Sequence, residues 1–239
     1  MKLCISFLLI GYIFIQGLEA QPDLEWFARY NGSHGIGEGS NDIKNDASGN
    51  VYVTGRSDSV SSTGIDIVTI KYKPDGTMEW MRTYNFAGLT DVGLFLEIDS
   101  YGFIYVVGTV SVNFTNQDII VIKYKPSGSM IWAKRFAPPG YLANGNDTPF
   151  SVTIDNNYIY IAGSITEDAP YNKKQMVLFR SNFNAGYTSA VYGLLGKDDY
   201  GHQVEADITG NMYICGLTQG TATSEKGVVI KYNTSMIPF

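Results

Sequence analysis

Apolar and polar residues alternate along this chain in short bursts, not at a helical spacing. Val51-Tyr52-Val53, Ile104-Tyr105-Val106, Ile159-Tyr160-Ile161 and Met212-Tyr213-Ile214 each set a tyrosine between two aliphatic residues, and each burst ends at a glycine. Short runs of β-branched and aromatic residues bounded by Gly, Pro, Asn or Asp read as strands. Outside the first twenty residues no segment keeps a helical period over ten positions. The closing glycines Gly55, Gly108, Gly163 and Gly216 are 53, 55 and 53 positions apart, so one unit is written four times.

Other blocks ride on the same period. Asp66-Ile67-Val68-Thr69-Ile70-Lys71-Tyr72-Lys73-Pro74-Asp75-Gly76 returns as Asp118-Ile119-Ile120-Val121-Ile122-Lys123-Tyr124-Lys125-Pro126-Ser127-Gly128, decays at Gln175 to Arg180, and recovers at Val228 to Tyr232. A third block opens at Trp26, Trp80 and Trp132, and is represented in the last unit by residues 188–192. The Asp-x-x-Gly-Asn and Lys-Pro-Asp-Gly junctions predict tight turns: Asp caps the bend, Pro presets φ and Gly takes positive φ. One unit therefore predicts four strands, A near residues 43–46, B near 51–55, C near 67–72 and D near 79–84. A four-stranded antiparallel unit of about 50 residues, repeated, is a β-propeller blade. The fold class expected is all-β, a propeller of four four-stranded antiparallel blades over residues 21–239.

The residues resemble the SBBP-type β-propeller repeat of secreted bacterial proteins, whose pattern is Asp-x-x-Gly-Asn-x-Tyr-Val-x-Gly, a variable loop, then Lys-Tyr, Pro, Gly and a Trp strand. The first two units match closely, the last two lose the Lys-Pro-Asp-Gly turn, and the fourth lacks the Trp. The resemblance implies a cell-surface or secreted location and a binding or scaffolding role. Whether the ring closes is left open by the sequence. The first D-type block could pair with the last A-B-C set and close it, whereas Met236-Ile237-Pro238-Phe239 aligns with the start of another D strand. An open arc would expose a strand edge at each end and favour a homodimer.

Lys2, then the apolar stretch from Leu3 to Ile15, then Ala20 read as a signal peptide over residues 1–20. The stretch is shorter than the ~20 apolar residues that span a bilayer, so no membrane span is expected after cleavage. Cleavage would leave Cys215 as the single thiol, and no internal disulfide. Aromatics at 13% and 44% apolar residues support a packed core and exclude disorder, collagen and a coiled coil. A net charge of −6 repels a phosphate backbone, so no nucleic-acid partner is expected.

Most conspicuous residues have a structural explanation. Trp26, Trp80 and Trp132, and Tyr52, Tyr105, Tyr160 and Tyr213, recur at fixed positions and are expected between blades. Asp46, Asp99, Asp155 and Asp207 recur at a turn, where a carboxylate satisfies backbone N–H groups. Cys215 takes a small-residue slot held elsewhere by Thr54, Val107 and Ala162, and is expected buried and inert. No metal, cofactor or nucleophile motif is present, so no cofactor and no catalytic residue are expected.

The loops between strands B and C, and between D and the next A, are long and differ in every unit, and they share one end of the strands. Variable loops on a rigid repeat carry recognition. That face gathers His34, Glu38, Asp42, Asp91, Tyr141, Asp147, Tyr171, Asp198, Asp199 and His202 as candidate ligand-binding residues. The expected function is a secreted or cell-surface, non-catalytic scaffold binding a protein or glycan there. Two alternatives remain. One is an extracellular glycan hydrolase or lyase using acidic residues of the same face, with paired carboxylates ~5–9 Å apart. The other is a truncated part of a larger surface propeller.

Overall fold

The computed structural model describes residues 23–32, 37–58, 64–136, 145–167, 171–193, 196–219 and 224–236, and every regular element among them is a β-strand. The first sheet holds β1 (Gly39–Asn45), β2 (Val51–Asp58), β3 (Ile65–Tyr72) and β4 (Met78–Tyr84) in that order. The second holds β5 (Asp91–Ile98), β6 (Ile104–Asn113), β7 (Asn116–Tyr124) and β8 (Met130–Phe136). The third holds β9 (Thr148–Ile154), β10 (Tyr158–Thr166), β11 (Lys174–Asn182) and β12 (Tyr187–Tyr192). The fourth holds β13 (Asp199–Ala206), β14 (Met212–Thr218) and β15 (Lys226–Tyr232). Every strand pairs antiparallel with its sequence neighbour inside its own sheet, and the first strands of successive sheets lie side by side. This is a β-propeller, with each sheet a blade and β1, β5, β9 and β13 innermost.

The recurrent turn is held by one carboxylate. Asp46 Oδ1 accepts the backbone N–H of Ser48 and Asn50 at 2.9 and 3.0 Å, and its Oδ2 accepts the Tyr52 hydroxyl at 3.1 Å. The same hydroxyl-to-carboxylate bond joins Tyr105 to Asp99 at 3.0 Å, Tyr160 to Asp155 at 2.7 Å and Tyr213 to Asp207 at 3.1 Å. Tyr52, Tyr105 and Tyr160 thus each fill a junction with the ring and tie their own turn with the hydroxyl, whereas Tyr213, on the last blade, ties its turn without a junction to fill.

The turns between the third and fourth strands keep their geometry where their sequence decays. Gly76 and Gly128 sit at φ 80° and 81°, and the equivalent Ala185 and Met236 hold φ 65° and 64°. Ala185 and Met236 still donate their N–H to Asn182 and Asn233 carbonyls, at 3.2 and 2.9 Å. The lost Lys-Pro-Asp-Gly motif is therefore a loss of residues, not of the turn.

Blades pack face to face through apolar layers. Tyr52, Ile67 and Trp80 of the first blade meet Leu96, Val106 and Ile122 of the second; Tyr105, Val107 and Val121 meet Ile159, Ile161 and Phe179 of the third. Each tryptophan also reaches the next blade: Trp80 Nε1 donates to the Pro126 carbonyl at 3.0 Å and Trp132 Nε1 to the Phe183 carbonyl at 3.3 Å. A side chain at Gly128 would collide with the Trp80 ring, so the turn glycine is needed for packing as well as for φ.

Of the two expected forms, the described residues build the arc. β15 pairs only with β14, and the first and last sheets do not pack on each other. Residues 26–30, expected as a strand, form no ladder, because no third strand of a blade pairs with them among the described residues. Cys215, expected buried, is half-buried because it lies on the outer face of the last sheet. The expected signal peptide, residues 1–20, lies outside the described residues; among those described, no helix is long and apolar enough to cross a membrane.

Candidate functional site

The innermost strands share an irregularity. Each carries one extra residue opposite the strand beside it, at Asn41 in β1, Leu94 in β5, Phe150 in β9 and His202 in β13. Such β-bulges twist the strand and re-aim the extra side chain. The closing glycines explain the position of the bulge. A Cβ at Gly55, Gly108, Gly163 or Gly216 would fall on the carbonyl oxygen of the inner strand, at Gly39, Val92, Thr148 or Tyr200 respectively. Bulged residues touch from blade to blade: Asn41 Nδ2 donates to the Gly93 carbonyl at 2.7 Å, and the Phe150 and His202 rings are 5.8 Å apart. Tyr200 completes an aromatic cluster, 6.5 Å from both Phe150 and His202. Phe150 is 38% exposed and His202 is exposed, so this platform is open to a ligand.

Further along the same inner strands stand three carboxyls. Glu97 of β5 accepts a hydrogen bond from Lys44 Nζ of β1 at 3.0 Å. It also lies within electrostatic reach of Asp42 of β1 and Glu205 of β13. Burial raises the Glu97 carboxyl above the usual range, against the pull of Lys44 and with the help of the Asp42 and Glu205 charges. Asp42 is fixed, accepting the backbone N–H of Ile43 and of Leu96, each at 2.8 Å. Glu205 is exposed and close to Gln203 Nε2. Glu97 is thus a half-buried carboxyl, raised by burial and paired with Lys44, with two further carboxyls in electrostatic reach.

The loop-face candidates divide into three groups. Glu38, Asp91, Asp147 and Asp199 occupy one repeat position at or just before the inner strand and tie down loops. Asp91 accepts the N–H of Phe86 and Ser111 at 2.6 and 3.1 Å, Asp147 that of Thr166 at 3.0 Å, and Glu38 that of Gly32 at 2.9 Å. Asp91 and Asp199 are 0% exposed and Asp147 is 2% exposed. Burial, with the charges of Asp66 and Asp118 nearby, pushes Asp91 up to about 6 and Asp147 to about 7.

The second group lies at the surface. Asp198 accepts Lys173 Nζ at 3.1 Å and the Lys174 N–H at 3.0 Å; against a burial penalty these hold its carboxyl below the usual range. Tyr171, half exposed, lies beside Gly196, and His202 belongs to the aromatic platform. The third group, His34 and Tyr141, lies outside the described residues. Among the described residues no cluster of His, Cys, Asp and Glu could hold a metal ion.

Sequence reasoning missed Glu97, Glu205 and Phe150. Glu97 and Glu205 stand at the repeat position of Lys44, opposite Tyr105, Tyr213 and Tyr52 respectively. Counting back from the repeated tyrosine across the turn would have found them.

No family model matches the sequence, and no curated protein matches it. Solved structures do match in fold. An endo-arabinase from Bacteroides thetaiotaomicron VPI-5482 superposes at a TM-score of 0.50 with 13% identity, over 86% of this chain and 78% of that one. A GH43 β-1,3-galactosidase superposes at 0.45 with 10% identity, over 82% and 73%. An exo-β-1,3-galactanase from Phanerochaete chrysosporium superposes at 0.44 with 11% identity, over 82% and 46%. The likeness is one of fold, and it supports the propeller. The expectation of a non-catalytic scaffold for protein or glycan binding is corrected here: the structure that superposes at 0.50 is an endo-arabinase, a glycan-cleaving enzyme. That expectation rested on the absence of a catalytic constellation in the sequence, and the inner strands bring three carboxyls together that the sequence kept about 50 residues or more apart.

Proposed function

We propose that the chain is an exported glycosidase that cleaves a polysaccharide at the propeller axis. The observation that carries this reading is the convergence of Asp42, Glu97 and Glu205 from three inner strands, with Glu97 raised by burial. In this reading Glu97, its carboxyl raised by burial against the pull of Lys44, is the group that hands a proton to the glycosidic oxygen as the bond breaks. Exposed Glu205 takes a proton from the attacking water. Asp42, held by two backbone N–H groups, does not move, and its fixed charge keeps the Glu97 proton in place. The platform of Phe150, Tyr200 and His202 stacks on a sugar ring farther along the chain. His202 and Glu205 are three strand positions apart, about 10 Å, which leaves room for a sugar unit between platform and carboxyls.

The endo-arabinase that shares the fold supports a glycan as the substrate class. Lys2 and the apolar run after it support export, and the SBBP-type pattern of the blades agrees with a secreted or cell-surface setting. The test is release of reducing ends from arabinan and β-1,3-galactan by the purified chain. Glu97→Gln and Glu205→Gln are each expected to lower kcat by about 10²-fold or more with the strand spectrum unchanged. Failure of the unaltered chain to cleave any member of a broad glycan panel would overturn the reading.

A further inference from the structure

The two ends of the arc are the two halves of one blade junction. At an inner junction, Val107 and Val121 on one sheet cover the next sheet's inner face. On the last blade those positions are Cys215 and Val229, and Val229 is 73% exposed where Val121 is 0%. On the first blade, the receiving face is open at the inner strand, where Ile43 is 62% exposed and the equivalent Leu96 is 0%, while Val68, Ile70 and Tyr72 are buried with Trp26 and Tyr30 packed against them. Ile43, Val53 and Ile70 there line a groove of about 400 Å³ together with Trp26 and Tyr30.

The edges match as well. Trp26 Nε1 donates to the Pro74 carbonyl at 3.1 Å and its ring lies over Gly76, as Trp80 does with Pro126 and Gly128. Residues 24–30 are therefore seated like the fourth strand of a preceding blade. Elsewhere such a strand pairs with a third strand, setting Trp80 opposite Lys71 and Trp132 opposite Lys123. Among the described residues, 24–30 have no third strand beside them and β15 has no fourth strand. The repeat register sets Trp26 opposite Lys231 and Ala28 opposite Val229. It also puts Glu25 in the place of Glu79, which pairs with Lys71 at 3.0 Å. Lys231 is already poised in the same way, 5.3 Å from the Tyr213 ring as Lys71 is 5.4 Å from that of Tyr52.

Within one chain, residues 24–30 stay on the first blade while β15 edges the last. We infer that a second copy supplies the missing pairing. Residues 24–30 and the open face of the first blade of one chain dock on β15 and the open face of the last blade of another, head to tail. Two chains joined this way at both ends leave no free strand edge. This inference does not rest on the glycosidase reading.

The test uses the whole chain in a Cys4→Ser, Cys215→Ala background. Chains carrying only Ala28→Cys are mixed with chains carrying only Val229→Cys and oxidised. A covalent dimer formed only on mixing is expected, with light scattering giving twice the chain mass for the unaltered protein. Glu25→Lys is expected to lose the doubled mass, and adding Lys231→Glu to restore it, an outcome that a mere folding defect would not give. A monomer mass, or a disulfide formed only when one chain carries both cysteines, would overturn the inference.

Discussion

The inner junctions and the outer faces of the arc use the same repeat positions but differ in what covers them. Val121, inside a junction, is 0% exposed and its counterpart Val229 is 73% exposed; Leu96 is 0% exposed and its counterpart Ile43 62%. Similar side chains on similar strands thus contribute differently according to whether a neighbouring sheet excludes water. A blade's share of stability is set mainly at its junctions, as in other repeat arrays.

The sharpest way to break this comparison is to truncate the paired positions. Leu96→Ala leaves a cavity between two sheets and is expected to cost about 3 kcal/mol, whereas Ile43→Ala in a dilute, unassociated chain should cost less than about 1 kcal/mol. Urea denaturation of both variants measures the difference. Equal losses would mean that junction burial does not decide stability here.

The inner junctions also bury carboxyls, and these give the comparison a pH dependence. Asp147 titrates at about 7 and Asp91 at about 6 in the folded chain, both raised by burial. Unfolded aspartate titrates near ~3.9, so between the two values the folded state holds the extra protons. Their contribution is fully present below about pH 4 and is lost as pH rises through 6 to 7. The melting temperature should therefore rise on acidification from pH 8 to pH 5, and Asp147→Asn should flatten that rise. Asp46 and Asp207 work in the opposite sense: hydrogen bonds outweigh burial at Asp46 and lower the carboxyl, and do so with little burial at Asp207. Their contribution is lost as pH falls below the usual carboxylate range.

The propeller was legible because B, C and D strands repeat residues whose roles are local to the blade. Tyr52 must pair with Asp46 and Trp80 must reach the next turn, so both leave the same residue type in other units. The axial carboxyls were not legible for the opposite reason. Lys44, Glu97, Thr153 and Glu205 share one position, yet each meets a different neighbour at the axis, so the position keeps no common residue. The bulges at Asn41, Leu94, Phe150 and His202 were hidden likewise, although His202 itself was singled out, because a bulge adds one residue without changing the alternation on either side. The loop acids Glu38, Asp91, Asp147 and Asp199 were found as a set of charges, but burial beneath the loops was visible only once β1, β5, β9 and β13 were in register.

The smallest expected effect separates the turns of the first two blades from those of the last two. Ala185 holds φ 65° where Gly76 and Gly128 hold 80° and 81°. A left-handed conformation costs an L-residue about 1–2 kcal/mol, and glycine escapes it at the expense of extra freedom in the unfolded chain. Ala185→Gly should therefore stabilise by about 0.5 kcal/mol in urea titration. The reverse change at Gly128 should cost more than this gain, because a Cβ there also meets the Trp80 ring, whereas the Ala185 Cβ is already accommodated. Equal and opposite effects would place the whole role of the turn glycine in its φ and none in the tryptophan it receives.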